Sequence, residues 1–281
     1  MHHPLTPMTA ADDIPAHFAP RTLFEPIAPW LARFTDAGPP DPARLTTLLA
    51  ETAPEARSGS GAALRFVPPP DGLCNYEAHI HATGDIPTRS DNWHDFFNAL
   101  AWCAWPISKT CFNALHLAEI RARHEAGLTG RGPVRDALTQ FDECGIVVVS
   151  SDPKIPALLA AHEWAAAFWH RRAHLLASTR FLMFGHGTWD QLRTPFFGLC
   201  AKALYRVVPA TWLQLDTAAQ LADTDRWLAQ HLSQRRPSLS TRAFSPLPLL
   251  GIPGVTADNT VAAYYDDTRQ FRPARSSQAS V

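Results

Sequence analysis

Apolar residues recur at helical spacing most clearly between Thr88 and Gly127. Trp93, Phe96, Phe97, Leu100, Ala101 and Ala104 make one wide apolar face, which predicts a helix docked on the core. Ser90 or Asp91 offers a short side-chain oxygen to cap its first turn. Pro106 ends that helix and opens a second, where its missing N–H costs nothing. Ile107, Cys111, Ala114, Leu115 and Ala118 stripe the second helix, which runs to Gly127. The pair reads as a helical hairpin or a sharply kinked helix.

The flanking chain is read the same way. Met1–Pro20 is rich in proline and histidine without periodicity, a loosely ordered arm. Leu23–Phe34 is a short helix broken by Pro26 and Pro29, and Pro42–Leu49 is another. Ala63–Val67 reads as a strand. Asn75–Ala82 alternates, with Tyr76, Ala78 and Ile80 on one side and Glu77, His79 and His81 on the other, so it too reads as a strand. A short helix over Val134–Phe141 leads through an acidic turn, Asp142–Glu143, into a buried strand, Ile146–Val149. Pro156–Leu176 predicts one helix. Thr179–Phe184 predicts a second buried strand, ended by Gly185-His186-Gly187. Helices over Pro195–Val207 and Leu213–Leu232 follow. Pro246–Gly254 is an extended segment, and Tyr264–Asp267 with Phe271–Pro273 forms a C-terminal clasp. The expected fold is α+β and mainly helical, with a small central sheet of Asn75–His81, Ile146–Val149 and Thr179–Phe184 covered by helices. Residues 21–273 make a single globular domain, and residues 274–281 a disordered tail.

Composition narrows the function. A formal net charge of −1 gives no global basic field for nucleic acid or anionic lipid. Five cysteines without regular spacing do not make a disulfide framework, which fits a reducing, cytoplasmic setting. The N-terminus has no signal-peptide pattern, and every apolar run is too short or too interrupted to span a bilayer. The phosphate loop, the dinucleotide fingerprint and the G-x-S-x-G elbow are absent. His162-Glu163 fails the H-E-x-x-H zinc signature because position 166 is alanine.

The remaining chemistry sits on the central helices. His94, Asp95 and Asn98 share one side of the first, and Lys109, Asn113 and His116 one face of the second. Turned inward together, they would place imidazoles, a carboxylate, amides and an amine in one cluster. A histidine beside a carboxylate can act as a base or ligate a metal. The ordinary alternative is a solvated helix face, with Asp95 offsetting the macrodipole and the asparagines satisfying backbone groups. Glu77, His79 and His81 have metal-ligand chemistry but also describe an exposed strand face. Asp142 and Glu143 suit a metal or a general base, and also an ordinary polar turn. His186, between glycines, can reach a pocket.

The run PTRSDNWHDFFNALAW (Pro87–Trp102), with KTCFNALH (Lys109–His116) after it, resembles a bacterial family, the domain of unknown function 3025 family. RDALTQFDECGIVVVSSDP (Arg135–Pro153), FLMFGH (Phe181–His186), PLPLLGIPG, YYDD and FRP extend the resemblance over residues 76–273. It implies membership, places Glu77 in the pattern more clearly than His79 or His81, and implies no activity. Cys144 departs from the pattern, which has a polar residue there.

Two functions stay open. The first is a metal-assisted hydrolase acting on a small or phosphate-bearing substrate, with a divalent metal as candidate cofactor. His94 would be base or ligand, with Asp95 and Asp142 or Glu143 orienting it or holding the metal. Lys109 and His116 would neutralise developing charge. Arg89, Lys109 and Arg135 carry the phosphate preference. The second is a non-catalytic protein that binds a small molecule or a partner, or an assembly factor, with the same residues, Glu77, Asn98 and Asn113 included, as structural hydrogen bonders. Convergence of His94, His116 and the Asp142–Glu143 pair in an open pocket would favour the first.

Overall fold

Six residues buried end to end, Gly145–Ser150, form the strand around which the protein is layered. The computed structural model describes residues 13–274. In chain order the first elements are α1 (Ala28–Leu31), α2 (Pro42–Thr52), β1 (Arg65–Val67), α3 (Tyr76–Thr83), β2 (Asp85–Pro87), α4 (Trp93–Ala104) and α5 (Pro106–Glu125). Then come α6 (Gly132–Cys144), β3 (Gly145–Ser150), α7 (Lys154–Ala160), α8 (Arg172–Ser178), β4 (Thr179–Met183) and α9 (His186–Arg193). The last are β5 (Cys200–Val207), α10 (Thr217–Arg235) and β6 (Ser245–Pro248). The fold is α+β and mainly helical. No helix among the described residues is long and apolar enough to cross a membrane.

The main sheet has the order β4-β3-β5-β6. β3 runs parallel to β5, with Val147 opposite Leu204, and antiparallel to β4, with Val147 opposite Leu182. β6 closes the far edge antiparallel to β5. β1 and β2 make a separate parallel pair. Burial along the whole of β3 requires cover on both faces. Trp105, Phe112 and Phe141 pack on Phe184 at ring separations of 5.5, 5.0 and 5.4 Å, and Trp105 Nε1 donates to Met183 O at 3.1 Å. A contiguous buried apolar cluster runs from Phe18 to Phe271.

Several local expectations are corrected. Asn75–His81 is not a strand but α3. Asn75 Oδ1 caps it by accepting from Ala78 N at 3.1 Å, and Gly84, at φ +77°, closes it. Ile80 is its one fully buried side chain, so the apparent alternation is not a buried face. His79 and His81, two apart on a helix, point to different sides and cannot share an ion. Pro195–Val207 is not helical; its second half is β5, because Ala201 and Ala203 slot beneath helices next to β3. The long helix over Pro156–Leu176 breaks at His162, whose φ is +60°, and resumes through a π-helical turn, Ala165–His170, and α8. Asp142 and Glu143 are no turn; they lie in the last turn of α6. Asn92, rather than Ser90 or Asp91, caps α4. Residues 1–12 of the expected arm and 275–281 of the expected tail lie outside the described residues. Pro15–Phe18 is a short 3-10 turn with Phe18 buried, not a loose arm.

Two long-range clamps set the helices that matter below. Trp189 Nε1 of α9 donates to Leu23 O at 2.9 Å, and Arg21 donates to the α9 carbonyls of Leu192 and Arg193. Asp225 of α10 accepts from the N–H groups of Ile107 and Ser108 at 3.0 and 2.8 Å, capping α5 from another helix. Burial raises the Asp225 carboxyl to about 6, against the pull of the Ser108 and Ile107 bonds. Replacing Asp225 with alanine leaves those donors unpaired and is expected to cost about 2–3 kcal/mol in urea unfolding. The raised value means that protonation stabilises the fold. The gap between wild type and Asp225→Asn should therefore shift against wild type as pH rises from about 4 through about 6. An alanine variant as stable as wild type, or a gap flat with pH, contradicts this role.

Candidate functional site

α4, α6 and α9 meet at a polar cleft of about 290 Å³. His94 stands in the first turn of α4. The loop before it is fixed by Asp95, which accepts from Arg89 N, Nε and Nη2 at 2.7, 2.9 and 2.8 Å. Glu143 is in the last turn of α6, and His186 opens α9. The glycines flanking His186 permit this. A Cβ on Gly185 would stand 2.5 Å from the Cys144 Cα, and one on Gly187 would strike the Glu143 carboxylate. Their absence lets the start of α9 close on the end of α6.

Three ligand atoms converge there. His94 Nε2 lies 3.2 Å from His186 Nε2, and Glu143 Oε1 lies 3.8 and 3.6 Å from the two. His186 is buried, while His94 and Glu143 are partly exposed to the cleft. Burial pushes the His186 imidazole down to about 3, against the opposing pull of Asp142, so it is neutral with a free lone pair near pH 7. Burial also raises the Glu143 carboxyl, and His94 opposes that.

Behind the three lies a buried ion pair. Lys109, 4% exposed, donates to Asp142 Oδ1 at 2.6 Å and to Asn98 Oδ1 at 2.9 Å. Desolvation is the largest single influence and works to raise the Asp142 carboxyl, but the Lys109 charge and hydrogen bond, together with His186 and His116, outweigh it and hold the group below the usual carboxylate range. Asp142 Oδ2 faces His186 Nδ1 at 3.8 Å, the side of the ring away from His94. That distance is beyond a hydrogen bond, so the carboxylate acts on the imidazole through its charge, which favours the protonated ring.

The inner end of the cleft has a different character. Glu77 Oε2 accepts from Asn113 Nδ2 at 2.6 Å, and burial raises its carboxyl to about 7, against that bond. His116, also buried, is pushed down to about 4 by desolvation. Of the residues singled out in the sequence, His94, Asp95, Asp142, Glu143, Glu77, Arg89, Asn98, His116 and His186 line this one cleft. Lys109 and Asn113 stand behind its wall. Arg135 does not line it. Tyr76, Arg131 and Thr139 line it without having been singled out. Tyr76 was hidden by the strand reading of its segment, and nothing local marks Arg131.

The family described as Protein of unknown function (DUF3025) matches residues 64–275, and the chain belongs to that family. No curated protein and no solved structure matches it.

The Lys109–Asp142 pair carries a direct test. Lys109→Met leaves the Asp142 carboxylate unpaired and should destabilise the protein by about 2–4 kcal/mol near pH 7. Because the pair depresses Asp142, its contribution is present above about pH 4 and is lost as pH falls through the lower folded value. The gap in urea unfolding should narrow on acidification; a gap constant with pH would exclude an ionic origin.

Proposed function

We propose that the cleft is the active site of a metal-assisted hydrolase, with His94, His186 and Glu143 as ligands of one divalent ion. The observation that supports this is the spacing of the three ligand atoms. Bonds of about 2.0–2.2 Å to a tetrahedral ion separate neighbouring ligands by about 3.4 Å, close to the three separations found here. Two imidazole nitrogens this close either share a proton or direct both lone pairs at a common cation. A two-histidine, one-carboxylate set fits zinc in a catalytic site, and also non-haem iron(II).

The side chains divide the work. His94 and Glu143 present the open side to the cleft, where a water and a substrate oxygen can reach. Asp142, held by Lys109, places its charge 3.8 Å from His186 Nδ1, on the side of the ring away from Nε2. A divalent ion at this position acidifies bound water and polarises the bond under attack. The open setting separates this reading from a purely structural cluster, which would be sealed. A ligand-binding role without catalysis uses the same cleft but gives no reason for the convergence of these three groups.

Protein purified without a histidine tag, dialysed against zinc or iron(II) and then against metal-free buffer, should retain one ion per chain by inductively coupled plasma mass spectrometry. His94→Ala and Glu143→Gln should each weaken retention by at least about a hundredfold while the fold is kept. No retained metal in the wild type, or retention in either variant equal to that of the wild type, sinks the proposal.

A further inference from the structure

The inner wall of the cleft carries protons that no protein group accepts. Tyr76 Oη accepts from Asn98 Nδ2 at 3.2 Å, and that amide cannot be turned round because its Oδ1 takes Lys109 Nζ. The phenol's own proton is left over, and burial keeps it on the oxygen by raising the group far above its ordinary value. Glu77 is next in sequence. Its Oε2 is taken by Asn113, and its Oε1 has no partner among the described residues. With the carboxyl raised to about 7, Glu77 carries a proton in mildly acidic solution. His116 is 5% exposed, and neither of its ring nitrogens has a partner among the described residues. Its neutral imidazole has one N–H to give.

Most acceptors near that wall are engaged, and the one open carboxylate oxygen of Asp142 is turned away from it toward His186. Lys109 takes Asn98 Oδ1 and Asp142 Oδ1, and Asn113 takes the Glu77 carbonyl. Asp95 is used up by Arg89. Arg131 stands at the rim, donating to Thr139 Oγ1 and paired with exposed Asp136 at 3.4 Å, a contact that water screens. Donors left unpaired in a recess are costly, and a ligand rich in acceptors removes the cost. A sugar or other polyol brings as many donors as acceptors and would leave the surplus unmatched.

We propose that this wall is an oxyanion subsite, at which a phosphoryl or carboxylate group of the substrate accepts from Tyr76, Glu77 and His116. This deepens the hydrolase reading and rests on it for the reacting position alone. The substrate class becomes small organic anions, bound through the oxyanion at the inner wall with the reacting bond toward His94, His186 and Glu143.

The test is isothermal titration calorimetry of the full chain with inorganic phosphate and with acetate, at about pH 6 so that Glu77 is protonated. Zinc-loaded and metal-free protein are both titrated. At least one anion should bind, and Tyr76→Phe, which removes only the phenol oxygen, should weaken it about tenfold with zinc content and melting temperature unchanged. His116→Leu should act in the same direction. The tighter of the two anions decides between a phosphoryl and a carboxylate substrate. Failure of both anions to bind either form of the protein overturns the proposal, as does binding that Tyr76→Phe leaves unchanged. Failure of metal uptake ends the hydrolase reading separately, because the metal-free titration still reports on the wall.

Discussion

A lysine ammonium almost without solvent contact, 2.6 Å from a carboxylate, constrains the centre of this protein more than any other contact. An ammonium is buried only where its charge and its donors are matched. Lys109 on α5 finds Asp142 on α6 and Asn98 on α4, and its ammonium also lies 5.4 Å from the Trp102 ring centroid. Three helices must therefore meet at one place and in one rotation. The other oxygen of Asp142 faces His186, so the contact that fixes helix packing also sets the charge behind the ring that closes the candidate metal position.

This arrangement gives the cleft two unlike ends. Toward α9 it offers lone pairs, those of His94, His186 and Glu143. Toward α3 it offers protons, those of Tyr76, Glu77 and His116. Burial sets the difference, because it neutralises both buried histidines and holds Glu77 near the point of half-protonation. Cations and oxyanions thus meet different walls of one small space. Net charge, at −1 for the whole chain, carries no trace of this local separation.

How much of this the sequence disclosed depends on the range of the interaction that decides each feature. α4 and α5 were legible because their apolar stripes and Pro106 are local signals, and of the polar residues on their faces His94, Asp95, Asn98 and His116 line one cleft, with Lys109 and Asn113 behind it. β3 and β4 were legible as continuous apolar runs. α3 was misread because Tyr76, Ala78 and Ile80 mimic a period of two, whereas the deciding signals were its ends, Asn75 and Gly84. β5 was misread because its place beside β3 overrides the helical preference of its alanines, leucine and lysine. The triad itself has no local signature. His94 and His186 are 92 positions apart, and only packing of α9 on α4 brings them together. Gly185 and Gly187 were visible as a pattern, but their purpose lies in the close approach of another helix.

The grip of Leu23 and Arg21 on α9 bears on where the working unit of this protein begins. The family match starts at residue 64, and by that boundary the first quarter of the chain is an accessory. Mechanically it is not. Leu23 holds the Trp189 indole, and Arg21 covers the carbonyls at the end of the eight-residue helix whose first residue is His186. A short helix has little stability of its own. A chain cut at the edge of the matched region would keep every ligand of the candidate centre and lose the brace that aims one of them. The conformational unit is thus longer than the unit of sequence kinship, and the excess is what keeps the cleft in register.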